Sequence, residues 1–296
     1  MFLENRSRMV GVDIGGSHIT VSLVDLENQC ITPESVIRSS VNTHGTADEI
    51  LATWVSAIKE VVGQQTIDHI RIGIAMPGPF DYENGISLIK GMNKYESLYM
   101  VDIRSHFARQ LGLPLDQILF RNDAEAFLHG EANCGAAFGH TKALGITLGT
   151  GLGSAVHEKG STTDANLGVS CFREGIAEDY LSTRWFVKRY RELTGLNVKD
   201  AKAILDIVPT DTTAATVLHE FIDNLSEFLY SFIKRENPEV VVIGGNIAKG
   251  HLLFMEKVNA KLVNLGCSVP VKVTSLWEDA AMIGAAFYWK SSVMEN

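Results

Sequence analysis

The chain has 296 residues, 46% of them hydrophobic and 21% charged, which is enough apolar content for one large core or two smaller ones and matches an ordinary globular enzyme. Its formal net charge is −9, there is no basic run to neutralise phosphates, and no stretch approaches the roughly 18 apolar residues of a membrane span, so neither nucleic acid nor membrane is an expected partner. The four cysteines (Cys30, Cys134, Cys171, Cys267) lie far apart without a CxxC pair, and the opening MFLENRSRMV lacks the apolar core of a signal peptide, a combination that predicts a cytoplasmic protein.

The first strand is predicted at residues 9–15, MVGVDIG, and the second at 18–26, HITVSLVDL, where β-branched residues alternate. A third is expected within CITPESVIRSS, 30–40. Residues 46–62 read as a helix: Thr46 caps it, Glu49 completes a capping box, and Ile50, Leu51, Trp54, Ile58 and Val61 form one apolar stripe. The strand IDHIRIGIAM, 67–76, stops at Pro77-Gly78-Pro79, and DIRSHFARQLGLP, 102–114, is a helix with a glycine-proline stop. From 117, QILFRNDAEAFLHGEANCGAAFG is a short strand running directly into a helix. Further helices are expected at about 174–193 and 211–235, the latter carrying Leu218, Phe221, Leu225, Phe228, Leu229 and Phe232 as a core stripe. PEVVVIGGN, 238–246, is a buried strand breaking at two glycines, and a helix at about 247–264, the strand VPVKVTSL and the helix DAAMIGAAFYWKSS follow. Strands alternating with helices predict an α/β architecture.

VGVDIGG, 10–16, and LGITLGT, 144–150, align at a constant offset of 134 residues, with Gly11 matching Gly145 and Gly15 matching Gly149. In each, an apolar strand reaches a glycine turn and a second strand follows. Such a repeat predicts two lobes, 1–120 and 121–296, with the last helix packing back on the first.

Three glycine turns follow apolar strands: DIGGS at 13–17, GTGLG at 149–153 and IGGN at 243–246. Glycine permits positive φ and lets a ligand reach backbone N–H groups, and phosphate oxygens suit such concavities. Each could be an ordinary tight turn; three together, with Asp13 at the first and Thr150 at the second, favour a nucleotide. None matches the Walker or dinucleotide pattern. In RNDAEAF, Asn122 and Asp123 stand where a strand meets a helix. They suit a helix cap, with Glu125 reaching back to Asn122. They equally suit a catalytic pair, in which Asp123 takes the proton of a substrate hydroxyl and Asn122 orients the substrate.

DIGGS, PGP, RNDAEA, Gly130-Glu131, TLGTGLG, GIAEDYLS and VVVIGGN occur in the order found in ROK-family sugar kinases, and the chain resembles that family from Val10 to about Phe287. The resemblance implies an actin-like (ribonuclease H-like) two-lobe ATPase fold with a duplicated βββαβα core, in which ATP and a sugar meet in the cleft, and a homodimer. It implies that Asp13, Gly15, Gly16 and Ser17 form the first phosphate motif, with Asp13 acting on Mg²⁺ directly or through water. Gly149, Thr150, Gly151 and Gly153 would form the second, and Gly244, Gly245 and Asn246 the adenosine side. Asp123 would be the catalytic base, and Asn122, Glu178, Gly78 and Asn93 would bind the sugar. On local pattern alone, Glu178 reads as a solvated helix residue and Gly78 as a turn residue.

The family usually carries ExGH and then CxCGxxGC, whose His and three Cys bind a structural zinc. Registered on GIAEDYLS, the cysteines fall on Val169, Cys171 and Ile176, and no ExGH stands between Gly153 and Gly175. One thiol cannot build a tetrahedral site, so no zinc is expected; His157 lies too near the glycine turn to stand in. The lysine often found after the first glycine pair is His18 here. The resemblance implies that losing ExGH also removes a Glu and a His that touch the sugar in the family, for which Asp164, Asn166 or Glu174 could substitute, the sequence leaving open which. The expected function is ATP- and Mg²⁺-dependent phosphorylation of a hexose or N-acyl hexosamine at the 6-hydroxyl, glucose first. The same family contains sugar-responsive repressors with a winged-helix segment before the first phosphate motif; Asp13 leaves no room for one, which argues against that reading. A catalytically silent sugar-binding homologue is the remaining alternative.

Overall fold

The structure is a computed structural model that describes residues 8–63 and 70–293. The chain divides into two compact units, one made of Met1–Cys134 with Glu278–Asn296, the other of Gly135–Trp277.

The first unit opens with a hairpin. β1 (Arg8–Ile14) runs antiparallel to β2 (His18–Asp25), and both bury their branched residues, among them Val10, Val12, Ile14, Ile19 and Val21. β3 (Cys30–Ile31) and β4 (Ile37–Ser40) each pair with β2. The single strand expected over 30–40 is therefore split: Pro33 has no N–H for a ladder, and a 3₁₀ turn occupies Pro33–Ser35. α1 (Ala47–Val62) carries the anticipated Thr46–Glu49 capping box and buries Trp54 completely. β5 (Ile70–Met76) lies parallel to β1; the expected lead-in at 67–69 falls outside the described residues. β6 (Phe80–Asp81) and β7 (Ile86–Ser87) form a small hairpin, α2 (Ile103–Leu111) is capped by Asp102, and β8 (Ile118–Asn122), parallel to β5, passes without a loop into α3 (Asp123–Cys134). The sheet order is β3-β2-β1-β5-β8.

The second unit repeats this order. β9 (Lys142–Leu148), β10 (Leu152–Glu158) and β11 (Ser161–Asp164) are antiparallel, and the sheet runs β11-β10-β9-β14-β15, where β14 (Val240–Gly244) and β15 (Val271–Val273) are parallel to β9 and to each other. The offset of 134 residues holds for both ends of β1 and β9 and for the starts of β2 and β10. Pairing begins at Ile14–Ile19 in the first hairpin and Leu148–Leu152 in the second, so the second turn is one residue tighter. β12 (Cys171–Phe172) and β13 (Gly175–Ile176) form a hairpin. That hairpin takes the residues expected to start a helix at about 174, and α4 begins only at Thr183 (Thr183–Thr194). α5 (Ala201–Ile207), capped by Asp200, had no strong sequence pattern; α6 (Thr212–Glu236) buries the expected aromatic stripe. The helix expected over 247–264 is divided into a 3₁₀ segment, Ile247–Leu253, itself kinked at Gly250, and α7 (Met255–Asn264), with the non-helical Phe254 between them.

α8 (Asp279–Val293) returns to the first unit and packs on β1, β5 and α3. The contact is backbone to backbone. A Cβ on Gly11 or Gly73 of the sheet would run into the carbonyls of Met282 and Ala285, and one on Gly130 or Gly284 into those of Ala280 and Ala126. This closure corrects the expected division at 120. α3 belongs with the first unit because α8 covers it there, and the unit ends at Cys134. Among the described residues no helix is long and apolar enough to cross a membrane.

Candidate active site

In the first unit Asp13 stands near the end of β1, between Thr20 on β2 and Ala75 on β5. Its carboxyl is pushed up to about 7, chiefly by burial and next by the charge of Asp123, with Arg38 opposing and Glu278 adding. Arg38 is shared, since its Nη1 lies 2.6 Å from Glu278 Oε2. Burial and a like charge, opposed by a cation that is shared, therefore disfavour ionisation of Asp13. Beyond Asp13 the chain turns: Gly15 N–H donates to the His18 carbonyl at 2.9 Å, and Val41 N–H to the Ser17 carbonyl at 2.9 Å. Gly16 and Ser17 are exposed, and Ser17 Oγ lies 2.7 Å from His18 Nδ1. Neither Gly15 nor Gly16 takes a positive φ, so glycine supplies room here and not handedness. Tyr95, buried in the core, donates its hydroxyl to the Gly15 carbonyl at 2.7 Å across 80 residues of sequence. Asn93, exposed with φ 57°, precedes it on the same loop.

Met76 and Asn122 are paired at the ends of β5 and β8. Asn122 Oδ1 accepts from the N–H groups of Ala124 at 2.9 Å and Glu125 at 3.2 Å, so the side chain caps α3. Its Nδ2 donates to Tyr82 Oη at 3.2 Å, and Tyr82 in turn donates to the Met76 carbonyl at 3.0 Å. A Cβ on Gly78 would lie 3.3 Å from Tyr82 Oη, which brings Gly78, Tyr82 and Asn122 into one cluster. Asp123 is half-buried as the first residue of α3, where its Oδ1 accepts from Ala124 N–H at 2.9 Å and the helix dipole favours its negative charge. Glu125 turns to α8: its Oε1 accepts from Tyr288 Oη at 2.6 Å and pairs with Arg121 at 3.3 Å, whose guanidinium stacks 4.1 Å from the Tyr288 ring centre. The start of α3 is thereby pinned. Tyr82, Tyr95 and Arg38 carried no sequence signal beyond residue type, because each reaches the site from a distant segment.

In the second unit Gly149, Thr150 and Gly151 close the β9–β10 hairpin. Gly149 N–H donates to the Gly151 carbonyl at 3.0 Å, its own carbonyl accepts from Thr183 N–H at 2.8 Å, and Thr150 is exposed. Gly153 lies just past the turn, within β10 opposite Thr147. Glu178, on a 3₁₀ turn at Ala177–Asp179, accepts from Leu152 N–H at 2.9 Å through Oε2, while Oε1 pairs with Arg184. A Cβ on Gly151 would collide with this carboxylate. The local reading of Glu178 as a solvated helix residue is thus overturned, because the residue is bound to the glycine turn. Gly244 ends β14 opposite Thr147; Gly245 has φ 87° and abuts Leu148 so closely that any Cβ would meet its backbone. At Gly245 both handedness and space demand glycine. Asn246, exposed, follows it.

Cys171 faces Ile176 across the β12–β13 hairpin, and Val169 is exposed. Two positions aligned with zinc-binding cysteines are therefore cross-strand partners. Phe172 packs edge-on against Tyr180 at 5.5 Å and Phe228 at 6.1 Å, and Arg173 pairs with Glu227 at 2.6 Å, which hold the hairpin. Among the described residues, no three His, Cys, Asp or Glu side chains converge to hold a metal ion. His157 is buried in β10 beside Thr162 Oγ1 at 2.7 Å, and burial lowers its pKa. Burial raises the Asp164 carboxyl, against the pull of the Asn166 N–H it accepts; Glu174 is exposed.

The ROK family pattern matches residues 9–292. A glucokinase of Thermotoga maritima is 28% identical over 321 residues, spanning 97% of this chain and 98% of that protein. An N-acetyl-D-glucosamine kinase of Pectobacterium carotovorum subsp. carotovorum is 24% identical, spanning 80% and 83%. Among solved structures, a ROK family glucokinase from Streptomyces griseus in complex with glucose and AMPPNP superposes with a TM-score of 0.75 at 22% identity, over 95% of this chain and 98% of that one.

Proposed function

The chain belongs to the ROK family and is an ATP-dependent sugar kinase of the actin-like, ribonuclease H-like fold; from that premise we propose that it phosphorylates a hexose or N-acyl hexosamine at the 6-hydroxyl, with Asp123 as general base. The observation that carries this reading is the pair Asp13 and Asp123, within electrostatic reach of each other beside an open glycine turn. Asp123 takes the proton of the acceptor hydroxyl while that oxygen bonds to the γ-phosphorus. The bond from the γ-phosphorus to the bridging oxygen breaks, and ADP leaves.

Capping fixes the base: Asp123 cannot wander while its carboxylate accepts from Ala124 N–H and Asn122 binds the same helix turn. Asn122, Gly78, Asn93 and Glu178 are assigned to the sugar, with Tyr82 added because it is bonded to Asn122. The N–H groups of Gly16 and Ser17 and of Thr150 and Gly151 are assigned to phosphate oxygens, those of Gly15 and Gly149 being bonded within their own turns, and Gly244, Gly245 and Asn246 to adenosine. Asp13 suits Mg²⁺, since burial and Asp123 leave its carboxylate short of a counter-charge. Bound directly or through water, that ion would neutralise charge on the phosphoryl group. The glucokinase relative, aligned over nearly its full length, favours glucose as the first sugar to test.

The test is ADP release coupled to a reporter enzyme, run against hexoses and N-acyl hexosamines, with wild-type protein and Asp123→Asn. At least one sugar should drive ADP release, and Asp123→Asn should lower kcat about 10²–10⁴-fold with little change in KM. Silence on every sugar would leave the catalytically inert binding homologue as the better account. Full activity in Asp123→Asn would remove the base.

A further inference from the structure

The loop between β7 and α2 brings a cation to the first glycine turn. Lys94 Nζ lies 3.8 Å from the position a Cβ on Gly16 would take, so the ammonium stands directly over that open backbone. Among the described residues Lys94 has no carboxylate partner within 4 Å. Other lysines do: Lys202 pairs with Asp206, and Lys261 with Asp223. Arg38, and not Lys94, is the cation whose charge bears on Asp13.

The loop is built to hold this lysine in place. Its neighbours Asn93 and Tyr95 both take left-handed φ values of 57°, a conformation that asparagine adopts readily but a bulky residue such as tyrosine only where the surroundings enforce it. The Glu96 carboxylate accepts from the N–H groups of Gly91, Met92 and Asn93 at 3.0, 2.7 and 3.0 Å. Tyr95 is wholly buried against Trp54, with ring centres 5.4 Å apart; its N–H donates to the Thr43 carbonyl at 2.8 Å and its hydroxyl to the Gly15 carbonyl at 2.7 Å. The residue after Lys94 is thus tied both to the core and to the turn itself. The lysine ammonium stands over the Gly16 backbone at a turn whose glycines leave room for an anion.

We propose that Lys94 is a phosphate ligand of the nucleotide, its ammonium binding the γ-phosphoryl oxygens of ATP above Gly16. The γ-phosphoryl is singled out because Gly16 and the base Asp123 belong to the same unit, and the group that is transferred must reach the hydroxyl Asp123 deprotonates. This assignment rests on the phosphate-binding reading of the first glycine turn.

Calorimetric titration of wild-type, Lys94→Gln and Lys94→Arg proteins with Mg·ATP and with Mg·ADP separates the possibilities, with kcat and both KM values measured on the sugar identified above. Lys94→Gln should weaken ATP about tenfold or more while ADP affinity stays within about twofold, the size of one lost charge-assisted hydrogen bond. Lys94→Arg should retain most of the ATP affinity. Intact ADP binding by Lys94→Gln also shows that the variant is folded. Equal weakening of ATP and ADP, no weakening of either, or a rise confined to the KM of the sugar would each overturn the assignment. If wild-type protein binds ATP and turns over but Lys94→Gln matches it, only the role of Lys94 falls. If wild-type protein binds no nucleotide, the phosphate reading of the turn falls, and Lys94 with it.

Discussion

A carboxylate kept among protein atoms destabilises the fold once it ionises, and Asp13 is such a group. Its ordinary value is 3.8 and its value in the fold about 7. Between those limits the folded state holds more protons than the unfolded one, so this contribution to stability is complete below about pH 4 and is lost as pH rises through about 7. Asp13→Asn should therefore melt about 2–4 °C higher than wild-type at pH 8 and level with it at pH 4, a modest gain because the side chain keeps some contact with water. Scanning calorimetry at the two pH values measures it; a variant that is less stable at pH 8 would contradict the burial argument. Asp13, Asn122 and Asp123 could be picked out beforehand because each sits where an apolar strand ends, and such junctions are visible in a short window. The capping alternative for Asn122 was also visible, and its geometry is present. Tyr82, Lys94 and Tyr95 had no such mark, since each joins the site through a contact between segments far apart in the chain.

Helix ends and breaks divide in the same way. Thr46 and Glu49 announce the start of α1 because a capping box is a local hydrogen-bond pattern. The hairpin at 171–176 was hidden, because its shape is held by Phe172 against Tyr180 and Phe228 and by Arg173 against Glu227, none adjacent in sequence. Packing of α8 on α3 was hidden too, although its glycines were in view. Gly284 touches the Ala126 carbonyl, so Gly284→Leu should force the helices apart at a cost of about 1–3 kcal/mol. Because α3 begins at Asp123, kcat should fall along with the melting temperature. Thermal melts with steady-state assays on the same preparation test this, and an unchanged melting temperature would refute the close approach.

At the scale of the molecule, the second unit is one continuous segment, Gly135–Trp277, whereas the first needs both ends of the chain. A fragment of residues 135–277 should therefore unfold cooperatively on its own. A fragment of residues 1–134 should not, because Gly11, Gly73 and Gly130 would lose the helix that covers them, and adding a peptide of residues 278–296 should restore a cooperative melt followed by circular dichroism. A cooperative melt of the 1–134 fragment alone would show that α8 is dispensable. The α/β alternation, the repeat at 134 residues, the strand-to-glycine turns and the Asn122–Asp123 junction were determined by the sequence itself, since periodicity, β-branching and the sterics of glycine and proline act over a few residues. Only the tertiary structure decided that α3 belongs to the first unit beneath α8, that Glu178 binds the second turn, and that Lys94 stands over the first. Those facts depend on contacts between distant segments, which no local pattern of residues encodes.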